Sequence, residues 1–163
     1  MKRLLPVLVL VAMLTTSTAF AQYWGGMGAD NVFEGPRIHL GWVKAQDFDS
    51  TIVYGADYIW RNALATVNYF TDDGERVWTF EGSYLWRPQE DATIYAGGGL
   101  GFASQSNGNT DSGWLWNIVV GKEFQPENMV AGGAPYVEAR YNFGSSGDTD
   151  DLSGIRLTVG YRF

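Results

Sequence analysis

The 163-residue chain contains no cysteine, one histidine (His39) and five prolines. Without cysteine there can be no disulfide, no thiolate nucleophile and no Cys/His zinc cluster, so stability must come from packing or from a lipid solvent. After the first 21 residues, no stretch reaches 18 consecutive apolar residues, which excludes a membrane-spanning helix. Cations are also scarce. Eleven Lys and Arg against 18 Asp and Glu give a formal charge of −7, which argues against nucleic acid as a partner. No phosphate-cradling glycine loop, metal cluster or cofactor motif is present, and neither a cofactor nor a metal is expected. Glycine and rings, by contrast, are abundant: 21 Gly, 7 Trp, 9 Tyr and 9 Phe. That combination suits many short strands joined by tight turns.

The start of the chain has its own logic. Lys2 and Arg3 precede a nearly unbroken apolar run from Leu4 to Leu14, and Ala19-Phe20-Ala21 places small residues where a signal peptidase reads. The apolar run is about half the ~20 residues a spanning helix needs. Residues 1–21 are therefore expected to be a signal peptide cleaved before Gln22. Residues 22–36 form an N-terminal lead and residues 37–163 one domain. Loss of Lys2 and Arg3 takes the charge from −7 to −9.

From Arg37 onward, eight segments of about ten residues alternate apolar and polar, separated by turn-forming clusters. They run Arg37–Gln46, Thr51–Arg61, Ala63–Thr71, Arg76–Trp86, Ala92–Ala103, Gly113–Phe124, Pro135–Phe143 and Ile155–Phe163. The third is weaker, with Phe70 breaking its pattern. Asp72-Asp73-Gly74 is a compact hairpin signal. Ser104–Ser112 and Gly144–Ser153 are expected to be longer polar loops. Short connections make successive strands antiparallel neighbours. The expected fold is all-β, an eight-stranded antiparallel up-and-down barrel.

Side-chain volume decides which face points inward. Six tryptophans (Trp42, Trp60, Trp78, Trp86, Trp114, Trp116) share the apolar face, and an eight-stranded barrel has room inside only for modest side chains. The rings must lie outside, where the solvent has to be lipid, making this a transmembrane barrel. An even strand count puts both chain ends at one rim. Trp60, Trp86, Phe124, Tyr161 and Phe163 then form an aromatic girdle at that rim. Trp78, Trp114, Trp116 and Phe143 form one at the other, with Tyr69 and Phe102 beside them. Lys122 falls on the lipid-facing parity, so its amine must snorkel to the nearby rim or a bulge must change the parity.

The last residues carry a resemblance. Leu157, Val159, Tyr161 and Phe163 match the C-terminal signature of bacterial outer-membrane β-barrels, with a terminal Phe, an aromatic two residues earlier and apolar residues on the same parity. With the signal peptide and the alternation, the chain resembles the small barrels of the OmpA/OmpX type. That resemblance implies the bacterial outer membrane as location, with the termini on the periplasmic side. It implies outer-membrane lipid and lipopolysaccharide as surroundings, and the barrel-assembly machinery as the partner that reads Leu157, Val159, Tyr161 and Phe163. A monomer is expected.

The inward face carries His39, Asp57, Arg61, Glu81, Glu123, Glu138, Arg140, Arg156 and Arg162. Charges in a narrow lumen must be paired. Glu81, Glu138 and Arg140 are expected to form a central cluster, with Glu123 and Arg162 nearer the terminal rim, and Asp57 and Arg156 in the same network. Such a network plugs the lumen; the alternative is a narrow polar path for small solutes. The acidic outer loops either stay solvated or bridge divalent cations to lipid phosphates. His39 lies far from the serine-rich loops, so no catalytic residue is assigned and the chain is expected not to be an enzyme; a lipid-modifying enzyme is the remote alternative. The expected function is an integral outer-membrane barrel with a structural role.

Overall fold

The computed structural model describes residues 34–46, 49–72, 74–88, 93–107, 109–124, 133–144 and 152–163. The expected signal peptide and all but the last three residues of the lead lie outside this range. Eight strands form: β1 (Gly35–Ala45), β2 (Thr51–Trp60), β3 (Ala63–Asp72), β4 (Glu75–Trp86), β5 (Ile94–Asn107), β6 (Asn109–Glu123), β7 (Ala134–Gly144) and β8 (Gly154–Arg162). Each pairs with the next, and β1 pairs with β8, giving a closed antiparallel barrel. The expected architecture holds. Closure removes every sheet edge along the paired length, so backbone donors and acceptors meet inside the ladder.

Strand boundaries differ from the sequence reading in instructive places. β1 begins two residues early, at Gly35, taking the end of the expected lead into the sheet. β5 and β6 continue as a ladder to Asn107 opposite Asn109, where a polar loop over Ser104–Ser112 was expected. Ser106 and Ser112 are exposed there, so no apolar face enforces alternation and the strand signal vanishes. Arg61, expected inside, stands exposed in the β2–β3 turn with φ at 55°. A left-handed backbone costs a non-glycine residue roughly 1–2 kcal/mol; here the Arg61 N–H donates to Glu34 Oε1 at 2.9 Å. In the β3–β4 turn, Gly74 takes the positive φ of 91° that glycine accommodates freely.

The period of two sorts the side chains. In β4, Val77, Thr79, Glu81, Ser83 and Leu85 are buried, while Trp78, Phe80, Tyr84 and Trp86 are 46–65% exposed. The other strands follow suit. Large apolar side chains cover the outside, and the buried set includes Arg, Asp and Glu, the reverse of a protein folded for water. Along the axis the interior has three layers. At the rim distal to the termini, Val43, Ala45, Val53, Phe70, Val77, Ala103 and Leu115 pack together with Leu152 of the β7–β8 connection. Toward the terminal rim lie Ile59, Leu64, Leu85, Tyr95 and Val119. Polar and charged residues fill the layer between. Phe70, which disturbs the alternation of its segment, does so because it points inward and belongs to the distal apolar layer.

Candidate functional site: the closed lumen

Four arginines and four carboxylates share the interior, all no more than 6% exposed: Arg37, Arg140, Arg156 and Arg162 with Asp57, Glu81, Glu123 and Glu138. Strand geometry brings them together. Inward positions recur every second residue, so β7 supplies Glu138 and Arg140 and β8 supplies Arg156 and Arg162.

Glu81 is one centre. Arg140 Nη1 donates to its Oε2 at 2.6 Å, and Arg156 Nη1 donates to its Oε1 at 2.8 Å. Thr79 Oγ1 and Asn68 Nδ2 also donate to Glu81 Oε1, at 2.8 and 3.1 Å. Arg140 Nη2 reaches Glu138 Oε1 at 2.8 Å. Nearer the termini, Arg162 Nε donates to Glu123 Oε2 at 3.2 Å. The seven residues expected to share a network thus fall within one chain of contacts, with Asp57 joined through a residue the sequence reading left out.

That residue is Arg37. Its Nη2 lies 3.0 Å from both Asp57 Oδ2 and Glu138 Oε2, and its Nη1 donates to the Tyr95 hydroxyl at 3.0 Å. Glu123 Oε1 stands 3.7 Å from Nη1. The Tyr136 ring stacks on the guanidinium at 3.9 Å, and the Tyr136 hydroxyl donates to Asp57 at 2.8 Å. Arg37 therefore ties β1 to β2, β5, β6 and β7. It opens the first segment on inward parity and reads as a boundary residue. Counting charges was the available signal: without Arg37, three inward arginines face four carboxylates. Tyr136 gave no such signal, because a tyrosine beside Pro135 reads as either face.

Glycines seat the bulky groups. His39 stands opposite Gly55, Glu81 opposite Gly101, Tyr95 opposite Gly121 and Tyr136 opposite Gly160. A Cβ on Gly101 would stand 2.8 Å from Glu81 Cγ, closer than side chains tolerate, so each glycine makes room for its cross-strand neighbour. His39 is held at both ring nitrogens, Nδ1 at 3.0 Å from Asp57 Oδ2 and Nε2 at 2.8 Å from Asn68 Oδ1.

Outside, Trp60, Trp86 and Phe124 stand exposed at the terminal rim, with Tyr161 and Phe163 half-exposed beside them. Tyr161 and Phe163 pack edge to face at 5.2 Å, and the Phe163 N–H donates to Pro36 O at 3.0 Å. Toward the distal rim lie Trp78, Trp114, Trp116 and Phe143, with Tyr69 4.7 Å from Trp78 and Phe102 5.8 Å from Trp114. Leu157 and Val159 face outward at mid-height. Lys122 also points outward, in regular pairing with Ile94 and Val137. No bulge intervenes, and its amine lies 5.4 Å from the Phe124 ring at the terminal rim.

No protein-family model matches the sequence, and no curated protein does. Solved structures do match in shape. Ail, an outer-membrane protein of Yersinia pestis whose backbone structure was obtained in a phospholipid bilayer nanodisc, aligns with a TM-score of 0.53 at 12% identity, over 80% of this chain and 99% of Ail. The fold is that of a small outer-membrane β-barrel. The de novo designed TMB2.3, solved by solution NMR, aligns equally well, with a TM-score of 0.53 at 16% identity over 80% of this chain and 94% of the design. The N-terminal β-barrel domain of Pseudomonas aeruginosa OprF gives 0.49 at 12% identity, over 78% and 95%. At these identities the barrel's shape is shared and the side chains inside it are this chain's own.

Proposed function

We propose that this chain is an integral protein of the bacterial outer membrane with a structural role in the envelope, and that its lumen carries no solute. The observation behind the second half is the layering of the interior. A polar path needs continuous polar lining, whereas here a charge-balanced layer is capped at both ends by apolar side chains that are 0–8% exposed. Moving an ion through either apolar layer would strip its hydration without replacement. The outward wall supports the first half. Twenty-three large apolar side chains are at least 37% exposed, a surface far beyond what a monomer keeps in water. Aromatic rings lie toward both rims, where membrane interfaces favour them.

Outer-membrane lipid and lipopolysaccharide are the surroundings under this reading. Leu157, Val159, Tyr161 and Phe163 present the signal to the assembly machinery, and the protein works as a monomer. An enzymatic role finds no support in the lumen, because both His39 nitrogens are taken by Asp57 and Asn68, leaving no base for a nucleophile. Planar-bilayer recording of the purified protein tests the reading. The expected result is no step conductance above the bare membrane. Reproducible steps would overturn it, as would recovery of the protein in the soluble periplasmic fraction.

A further inference from the structure

The middle layer balances its charges but not its hydrogen bonds. Asp57 Oδ1 and Thr66 Oγ1 have no protein partner among the described residues, and the two residues stand opposite each other across β2 and β3. Asn117 Nδ2 and Asn142 Oδ1 are likewise without partners and opposite across β6 and β7. Arg140 Nε and Arg156 Nε repeat the pattern across β7 and β8. All six residues are at most 9% exposed, so bulk solvent does not serve them. Leaving so many buried polar atoms unmet would consume much of a small protein's stability.

We propose that the sealed middle layer is a binding site for water, held between cross-strand partners and cut off from bulk by the two apolar layers. The proposal rests on the closed-lumen reading and names what the lumen contains. Cross-strand residues place their Cβ atoms about 4.5–5.5 Å apart, a span that one molecule can bridge. Volume is available at the asparagine pair, since Gly99 faces Asn117 and Gly154 faces Asn142. Charge selects the occupant. Four arginines already meet four carboxylates, so an anion or cation would leave net charge in a medium that penalises it. Each pair asks for a neutral molecule that both donates and accepts: Asn117 donates and Asn142 accepts, Asp57 accepts beside the Thr66 hydroxyl, and the two Nε–H groups need an acceptor.

The test uses the full-length mature chain in lipid nanodiscs, isotope-labelled for NMR. Water-selective cross-relaxation to the side-chain amides of Asn117 and Asn142 is expected, with the sign of long-lived water. The variant N117L/N142L should lose those signals and unfold at a lower Tm. If the layer is dry, replacing two unmet groups with apolar isosteres raises Tm instead. Absence of the water signals overturns the proposal, and so does a raised Tm in the variant. A Tm that depends on chloride against sulfate at fixed ionic strength would point to a bound ion and also overturn it. Failure of the closed-lumen reading looks different: step conductance together with water signals of short-lived sign. Absent conductance with absent water signals would sink the hydration proposal alone.

Discussion

Replacing Glu81 with alanine would leave two buried guanidiniums, those of Arg140 and Arg156, without their shared carboxylate. Both arginines are at most 3% exposed and approach Glu81 within 2.8 Å, so water cannot stand in for the lost partner. Breaking a buried ion pair from one side costs about 3–5 kcal/mol. Against a total stability of about 5–15 kcal/mol, that is a large loss. With m-values of about 1–3 kcal/mol/M, a loss of 3 kcal/mol lowers the urea midpoint by about 1–3 M. Urea unfolding in detergent micelles, followed by tryptophan fluorescence, measures it. Arg140→Ala and the double variant complete the cycle. Because Glu81 and Arg140 share one contact, the double variant should lose less than the sum of the singles by about 0.5–3 kcal/mol. Added salt should leave the Glu81→Ala loss nearly unchanged, because the layer is shielded from bulk ions. A Glu81→Ala loss below about 1 kcal/mol, or additivity within about 0.5 kcal/mol, would refute the network as a source of stability.

Three further outcomes follow from the geometry. Gly160→Val should destabilise by about 1–3 kcal/mol, because a Cβ there would stand 2.5 Å from the Tyr136 ring. Gly82→Ala faces outward with its nearest atom at 3.9 Å and should be close to neutral in the same unfolding assay. Lys122→Leu should gain no more than about 1 kcal/mol in lipid, as expected for an amine near the interface; a gain of about 2–4 kcal/mol would place it at mid-bilayer instead. Phe163→Ala should reduce the amount of barrel assembled in cells more than it reduces the stability of refolded protein. Equal losses in membrane yield and in unfolding midpoint would remove the assembly role of the C-terminal strand.

The parts of the fold that were legible in the sequence are those where two solvents meet. Alternation in β4, from Trp78 to Trp86, is unmistakable because lipid-facing and lumen-facing environments differ sharply at that height. Where they converge, the signal fades. The β5–β6 ladder beyond Ala103 is wet on both sides and reads as loop. At the inner ends of the strands Val43, Val53, Leu64 and Leu115 face the lumen yet are as apolar as the wall, so sequence alone did not reveal the two capping layers. The charged middle was legible as a set of residues whose parity put them inside, though not as contacts. Arg37 stood at a boundary, and Arg61 kept inward parity one residue beyond the point where the chain turns.

The seam between β1 and β8 joins Arg37 to Arg162, residues from opposite ends of the polypeptide. Its ladder is the only one that local hairpin formation cannot supply, since the other seven join consecutive strands. Until the final strand arrives, Gly35–Ala45 would have an unsatisfied flank and the lumen would stand open along its length. Completion is thus a single late event in which the newest part of the molecule must find the oldest. A nascent chain stalled before Gly154 would possess nearly all its hairpins and still enclose nothing.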